Sequence, residues 1–253
     1  MRDKINKSLL AKEESPMYRT YFFTAFRVFN KIIRFSVLRY IKNHNKHYYR
    51  FNKNHAFKPL FYECLRIDCT TEKHCDFGPY IGEIFVPDKS QDYTSLFIAN
   101  SFSYERLEVE LQILDVRFEI GHYKHQLGVC VQPIYYGVDW SRLIYFFEYW
   151  IHEGATLFVF YLESYTKDLE AIFEMYKKTS QIEIEFVNIS LLPTNARDLK
   201  ENPNMFIHRL EPQLAIFDCV HRTRGRAKFI SQTDLDEIFL NLVLYNFIHE
   251  KFG

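Results

Sequence analysis

From Leu127 to Glu237 the chain alternates short apolar, β-branched runs with segments carrying a helical apolar period. That alternation leaves few folds open. Gly128 to Ile134 reads as a strand ending at Pro133. Asp139 can cap a helix whose apolar positions are Trp140, Leu143, Ile144, Phe147 and Ile151, with Gly154 as its stop. Thr156 to Tyr161 is a second strand, Leu169 to Tyr176 a second helix and Ile182 to Val187 a third strand. After the loop around Pro193 and Pro203, a helix from about Arg209 to Arg222 leads into a fourth strand at Ala227–Ile230. Such an order predicts an α/β unit with a mainly parallel sheet and right-handed crossovers.

Ligands of these sheets bind beyond the carboxyl ends of the strands. The fourth strand runs into Asp234-Leu235-Asp236-Glu237 at that end. Asp234 and Asp236 are two apart, so extended backbone would point both to one face and let them share a divalent cation. The four letters alone are weak, since DxDE arises by chance in roughly one chain in twenty of this length. Their position after helix, Gly turn and apolar strand raises their weight. No GxGxxG or GxxxxGK[ST] occurs, which disfavours ordinary dinucleotide and P-loop sites.

Upstream, residues 1–54 are basic and aromatic and end in IKNHNKHYYRFNKN, which reads as a linker. Residues 55–126 hold strand-like runs (Tyr80–Val86, Ser95–Ala99, Val109–Phe118) broken by Pro, Gly, Asp and Ser, so a small β-rich layer precedes the 127–253 unit. Charges at Arg2, Asp3, Lys4 and Lys7 precede no clean apolar core, so no secretory signal is read. The stretch Tyr21–Ile41 is long enough to span a bilayer, but Arg27, Lys31, Arg34 and Arg39 interrupt it. Each would cost ~2.5–3.5 kcal/mol near a bilayer centre. Arg27, Lys31 and Arg34 fall at i, i+4, i+7, the pattern of a helix lying on a membrane surface or, equally, of one packed on the protein body.

Lysine plus arginine equals aspartate plus glutamate at 32 each, so no global field favours nucleic acid. Five cysteines form no C-x-x-C pair. Cys64, Cys69 and Cys75 with His74 match no standard zinc spacing, and a disulfide or free thiols are the alternatives. Cys130, inside an apolar run, reads as a buried thiol. His122 and His125 read as loop residues, and Glu148 and Glu163 as surface groups rather than acid–base catalysts. Asn6 and Asn188 are glycosylation sequons that matter only in a secretory lumen.

Several linked pieces carry a family resemblance: VCVQPIYYG with Trp140, FFEYWIHEGATLFVFYLES, Gln213, DCVHRTRGRAKFI and DLDE. In this order they resemble the family 92 glycosyltransferases over roughly residues 95–238. The resemblance implies a GT-A-like nucleotide-sugar transferase, membrane-anchored in the secretory pathway or Golgi, that uses Mn²⁺ or Mg²⁺. It implies transfer of a hexose, galactose above all, from a UDP-sugar donor to a glycan acceptor. Asp234 and Asp236 would hold the cation and donor diphosphate, and Glu237 would complete the shell. A bound cation neutralises the charge that develops on a departing nucleotide diphosphate, and hard carboxylate oxygens suit it. Pro133, Arg224 and Lys228 are carried as donor-contacting residues. For Arg222, Arg224, Arg226 and Lys228 the plainer reading is a solvated basic turn.

Family members continue well past the acidic motif, whereas only IFLNLVLYNFIHEKFG follows Glu237 here. The expectation is an incomplete catalytic domain, marginal and association-prone, with the apolar tail Ile238–Ile248 covering part of its open surface. The alternatives are an inactive family member acting as a membrane-surface or partner-binding protein, and a metal-dependent phosphotransferase using the same carboxylates.

Overall fold

The structure is a computed structural model. It describes residues 7–8, 19–52, 54–65, 76–87, 92–101, 108–119, 121–137, 139–178, 181–189, 191–194, 198–207 and 212–239. The strands are β1 (Lys7–Ser8), β2 (Thr20–Phe29), β3 (Ile32–Tyr40), β4 (His47–Arg50), β5 (Lys58–Leu60), β6 (Glu63–Cys64), β7 (Phe77–Phe85), β8 (Ser95–Ala99) and β9 (Glu108–Asp115). Then follow β10 (His125–Ile134), α1 (Trp140–His152), β11 (Ala155–Leu162), α2 (Lys167–Lys177), β12 (Glu183–Asn188), α3 (Pro212–Arg222) and β13 (Ala227–Thr233). Among the described residues they form two sheets, one of nine strands and one of four.

The larger sheet runs β5-β4-β8-β9-β2-β3-β7-β6, with β1 also on β2. It corrects the helix expected over Tyr21–Ile41. That stretch is an antiparallel hairpin, registered from Thr20↔Arg39 to Phe29↔Ile32 around a turn at Asn30 and Lys31. Aromatic and β-branched residues suit a half-buried pleated surface better than a helix, and both β2 and β3 are interior strands. The basic stripe dissolves with the helix. Arg27 is 1% exposed and donates to Asp92 at 3.1 Å and to the Asn30 carbonyl. Arg34 pairs across the ladder with Glu83, and Arg39 donates to the Tyr62 hydroxyl at 2.6 Å. With the cations sent to different partners, this segment offers a membrane no basic helical face. The stretch read as a linker holds β4, which pairs with β5 and β8.

The smaller sheet has the order β12-β11-β10-β13, and every pairing is parallel. All four strands expected of one parallel sheet are in it. They are near-continuous apolar runs because both faces are covered. On one face α1 and α2 bring Leu143, Phe146, Phe147, Trp150, Leu169 and Phe173 onto Val129, Phe158 and Phe160. Asp139 caps α1 by accepting from the Arg142 backbone N–H at 3.0 Å, and Gly154 follows at φ +90°, where a side chain would be strained. On the other face Ala215 and Cys219 of α3 pack with Leu157, Val159 and Tyr161.

α3 also faces the larger sheet. Leu214 packs with Tyr21, Leu38 and Phe77, and Phe26 meets the Phe217 and His221 rings at 6.4 and 5.4 Å. A disulfide ties Cys219 to Cys130 on β10, 89 residues away, and so corrects the reading of Cys130 as a free thiol. Burial was legible in its apolar neighbours, but the distant partner was not. Cys64 is also disulfide-bonded, so its sulfur is no zinc ligand; Cys69, His74 and Cys75 lie outside the described residues. Beside the Cys130–Cys219 bridge, buried Asp218 accepts from the Tyr161 hydroxyl at 2.5 Å and from Arg222 at 2.7 and 3.1 Å. Burial, then the Asp218 charge, holds the Tyr161 phenol well above its usual range.

Two outcomes follow from these networks. Asp218→Ala leaves the buried Tyr161 hydroxyl without its acceptor and Arg222 with Glu185 alone. It should cost on the order of 3 kcal/mol in denaturant unfolding, with Asp218→Asn milder; a change under about 0.5 kcal/mol would show the network contributes little. His47 is buried beneath Arg39 and Tyr62, and burial, then the Arg39 charge, lowers its pKa from 6.5 to about 4. Between these values only the unfolded chain takes up the proton. Stability from this group is full above about 6.5 and falls by ~1.4 kcal/mol per pH unit down to about 4. Urea unfolding of His47→Gln over that range should lack this component; parallel curves would contradict it.

Candidate functional site

The strand order creates the site. From β10 the chain steps through α1 to β11 and through α2 to β12 on one side; α3, on the opposite face, carries it back to β13 on the other. The connections thus diverge between β10 and β13, and such a switch point leaves a crevice at the carboxyl ends of the two strands. The ladder shows how it opens. β10 pairs with β13 as far as Val131↔Thr233, but with β11 as far as Ile134↔Leu162 after a register shift. Pro133, which has no N–H to give, sits in the stretch that leaves β13. The resulting cavity of about 610 Å³ is lined by the end of β10 and the residues that follow it (Gln132–Gly137), by the cap Asp139 and Arg142 of α1, and by residues 232–237 at and beyond the end of β13.

The acidic motif forms the cavity's floor as a turn, not as extended backbone. β13 ends at buried Thr233, and the Glu237 N–H donates to the Asp234 carbonyl at 3.2 Å. The same-face argument from i, i+2 spacing therefore does not apply. A different constraint brings the aspartates to the cavity: Leu235 between them packs into the α1/α2 core. The Glu237 carboxylate folds back to accept from the Asp234 N–H at 3.1 Å, with the Thr233 hydroxyl 3.4 Å away. Through that one oxygen it fastens the turn. Asp236 is 62% exposed at its side chain and faces Arg142 Nη1 at 3.6 Å. Asp139 is engaged by the Arg142 backbone N–H, the Ser141 hydroxyl at 2.7 Å and the Arg142 guanidinium at 3.4 Å; the backbone hydrogen bond first, then Ser141, lowers its pKa.

Aromatic side chains line the mouth. Tyr136 is 81% exposed and sits at φ +53°, uncommon for a residue with a side chain. Ser164 and the Gly137–Tyr165 bridge secure it: the Tyr136 N–H donates to Ser164 Oγ at 2.9 Å, and the Gly137 N–H to the Ser164 carbonyl at 3.1 Å.

The expected residues divide sharply. Pro133, Asp234, Asp236 and Glu237 line this one cavity. Arg224 and Lys228 stand at the amino end of β13, about 20 Å of strand away from the acidic turn. The Arg224 guanidinium lies over the Phe29 and Phe118 rings at 4.4 and 5.1 Å, and Lys228 over Phe229 at 5.3 Å. Arg222 and Arg226 are held by Asp218, Glu183 and Glu185. The basic segment is thus neither part of the acidic cavity nor simply solvated. His125, expected in a loop, begins β10 and is buried against Thr156 at 2.9 Å and Glu183 at 3.0 Å. Glu148 accepts from the Tyr176 hydroxyl, away from the cavity lining. Asn188 is exposed at the carboxyl end of β12, while Asn6 lies outside the described residues. Arg142 was missed, because on α1 it reads as an ordinary polar-face residue; its place one turn past a capping Asp was the available signal.

Residues 125–249 match the model of glycosyltransferase family 92. This part of the chain belongs to that family. The family 92 match starts at the first residue of β10 and takes in the whole parallel sheet, its three helices and the acidic turn. The cavity therefore lies inside the family 92 segment, and the nine-strand sheet precedes it. No match is found among the curated proteins. Among solved structures, a ferredoxin NADP+ reductase from Neisseria gonorrhoeae with bound FAD and NADP is similar at 11% identity and a TM-score of 0.20, over 84% of this chain and 83% of that one. A likeness that low carries no argument about fold or ligand.

Proposed function

We propose that this chain transfers a hexose, galactose in the first instance, from a UDP-sugar to a glycan acceptor, with Mn²⁺ or Mg²⁺ as cofactor. The observation that carries the reading is the placement of Asp234 and Asp236 in a cavity at the switch point of a parallel sheet, within the family 92 segment. A GT-A-type arrangement agrees with that placement.

The donor set suits a cation that arrives with the substrate. Among the described residues no group of three His, Cys, Asp or Glu could hold a metal ion. Magnesium-type ions, however, are commonly bound by one or two carboxylates plus substrate phosphates. Asp234 and Asp236 would supply those carboxylates, and the diphosphate the remaining oxygens. When bound, the cation would neutralise charge developing on the departing UDP. The chain's own residues do the positioning: Leu235 pins the turn to the core, Glu237 and Thr233 brace it, and the Tyr135–Gly137 segment walls the opposite side. The Cys130–Cys219 bridge supports folding in an oxidising compartment such as the secretory pathway. Among the described residues no helix is long and apolar enough to cross a membrane.

Calorimetry with UDP tests the reading. Binding should require Mn²⁺ and vanish in Asp236→Asn, while Arg224→Ala and Lys228→Ala bind as the wild type does. Equal UDP affinity in Asp236→Asn, or in the presence of chelator, would contradict the proposal.

A further inference from the structure

Arg142 is the single cationic side chain among the described residues that line the acidic cavity. α1 projects it from its first turn, where the Asp139 cap uses the Arg142 backbone N–H and so leaves the guanidinium to the cavity. Its Nη1 lies 3.6 Å from Asp236 Oδ2 and its Nε 3.4 Å from Asp139 Oδ2, with half of the side chain exposed. These separations are long for charge-assisted hydrogen bonds, which run about 2.7–2.9 Å. The guanidinium thus balances two carboxylates without being locked to either. That is the geometry of a counter-ion that can change partners.

We infer that Arg142 is the anion-binding residue of this pocket: it neutralises Asp236 when no ligand is present, and turns to the diphosphate when a cation–nucleotide pair arrives. The inference rests on the proposed nucleotide-sugar site and adds to it the residue that Arg224 and Lys228 cannot supply. A divalent cation on Asp236 repels the guanidinium, and a diphosphate beside that cation attracts it. The diphosphate gives the displaced guanidinium a new partner that the bare cation does not, so the metal-bound donor is favoured over the cation alone. A guanidinium fork suits phosphate oxygens in a way that an ammonium does not.

The two halves of this role have opposite signs, which makes the test sharp. In the full chain, Arg142→Ala should bind Mn²⁺ alone roughly two- to fivefold tighter, because an exposed competing charge is gone. It should bind UDP in the presence of Mn²⁺ roughly tenfold weaker, because the phosphate partner is gone. Arg142→Lys keeps a competing charge, so its Mn²⁺ affinity should stay near wild type while UDP binding falls between the two. Thermal melting should be close to wild type in both variants, since the helix cap uses backbone. Unchanged affinities would overturn the inference. So would a joint weakening of Mn²⁺ and UDP binding, which would mark Arg142 as a brace for the turn. In both cases wild-type UDP binding would survive, leaving the transferase reading intact. A wild-type chain that bound neither Mn²⁺ nor UDP would overturn both.

Discussion

Helix α3 is the element on which both halves of this molecule depend. One side of it closes the four-strand sheet through Ala215, Cys219 and the bridge to Cys130; the other meets Tyr21, Phe26 and Leu38 of the nine-strand sheet. A helix buried on two sides has nowhere to put a charge in water, yet it carries Asp218 and Arg222. Their mutual hydrogen bonds, with Tyr161 and Glu185, make that burial tolerable, because an unpaired ion there would be costly. The same helix returns the chain to β13 and so sets the strand order. Without it there is no switch point, and hence no crevice between β10 and β13.

The site then follows from small local facts rather than from a preformed ion cage. β10 turns from β13 toward β11 near Pro133, and β13 stops at Thr233. Half-buried Leu235 packs against the core while Asp236 beside it stays exposed. The result is a cavity with several carboxylates and one guanidinium, held by a turn whose brace is its own glutamate. Such a surplus of negative charge is unfavourable by itself and is relieved when a cation enters, leaving Arg142 to meet the anionic ligand that the cation brings.

The family 92 segment was largely legible in the sequence. Runs such as Gly128–Ile134 and Thr156–Tyr161 are apolar because both sheet faces are covered, and the Asp139 cap and the Gly154 stop bracket α1 with local chemistry. What failed was non-local. Tyr21–Ile41 matched a helical stripe through Arg27, Lys31 and Arg34, but an aromatic-rich hairpin satisfies the same letters, and only Asp92 and Glu83, far along the chain, decide where Arg27 and Arg34 go. Cys130 gave its burial but not its partner. Asp234 and Asp236 were paired on an extended-strand argument; a turn anchored by Leu235 is what brings them to the cavity. Arg224 and Lys228 were carried as donor-contacting residues beside the aspartates, but the length of β13 separates them from the acidic turn.

The most direct test of the account is diffraction from crystals grown with UDP and Mn²⁺, using the manganese anomalous signal to locate the ion. The account predicts a peak within coordination distance of the Asp236 carboxylate, in the crevice between the carboxyl ends of β10 and β13, with diphosphate density beside it. A peak at the amino end of β13 near Arg224 and Lys228, or nucleotide bound with no ion at the acidic turn, would contradict it.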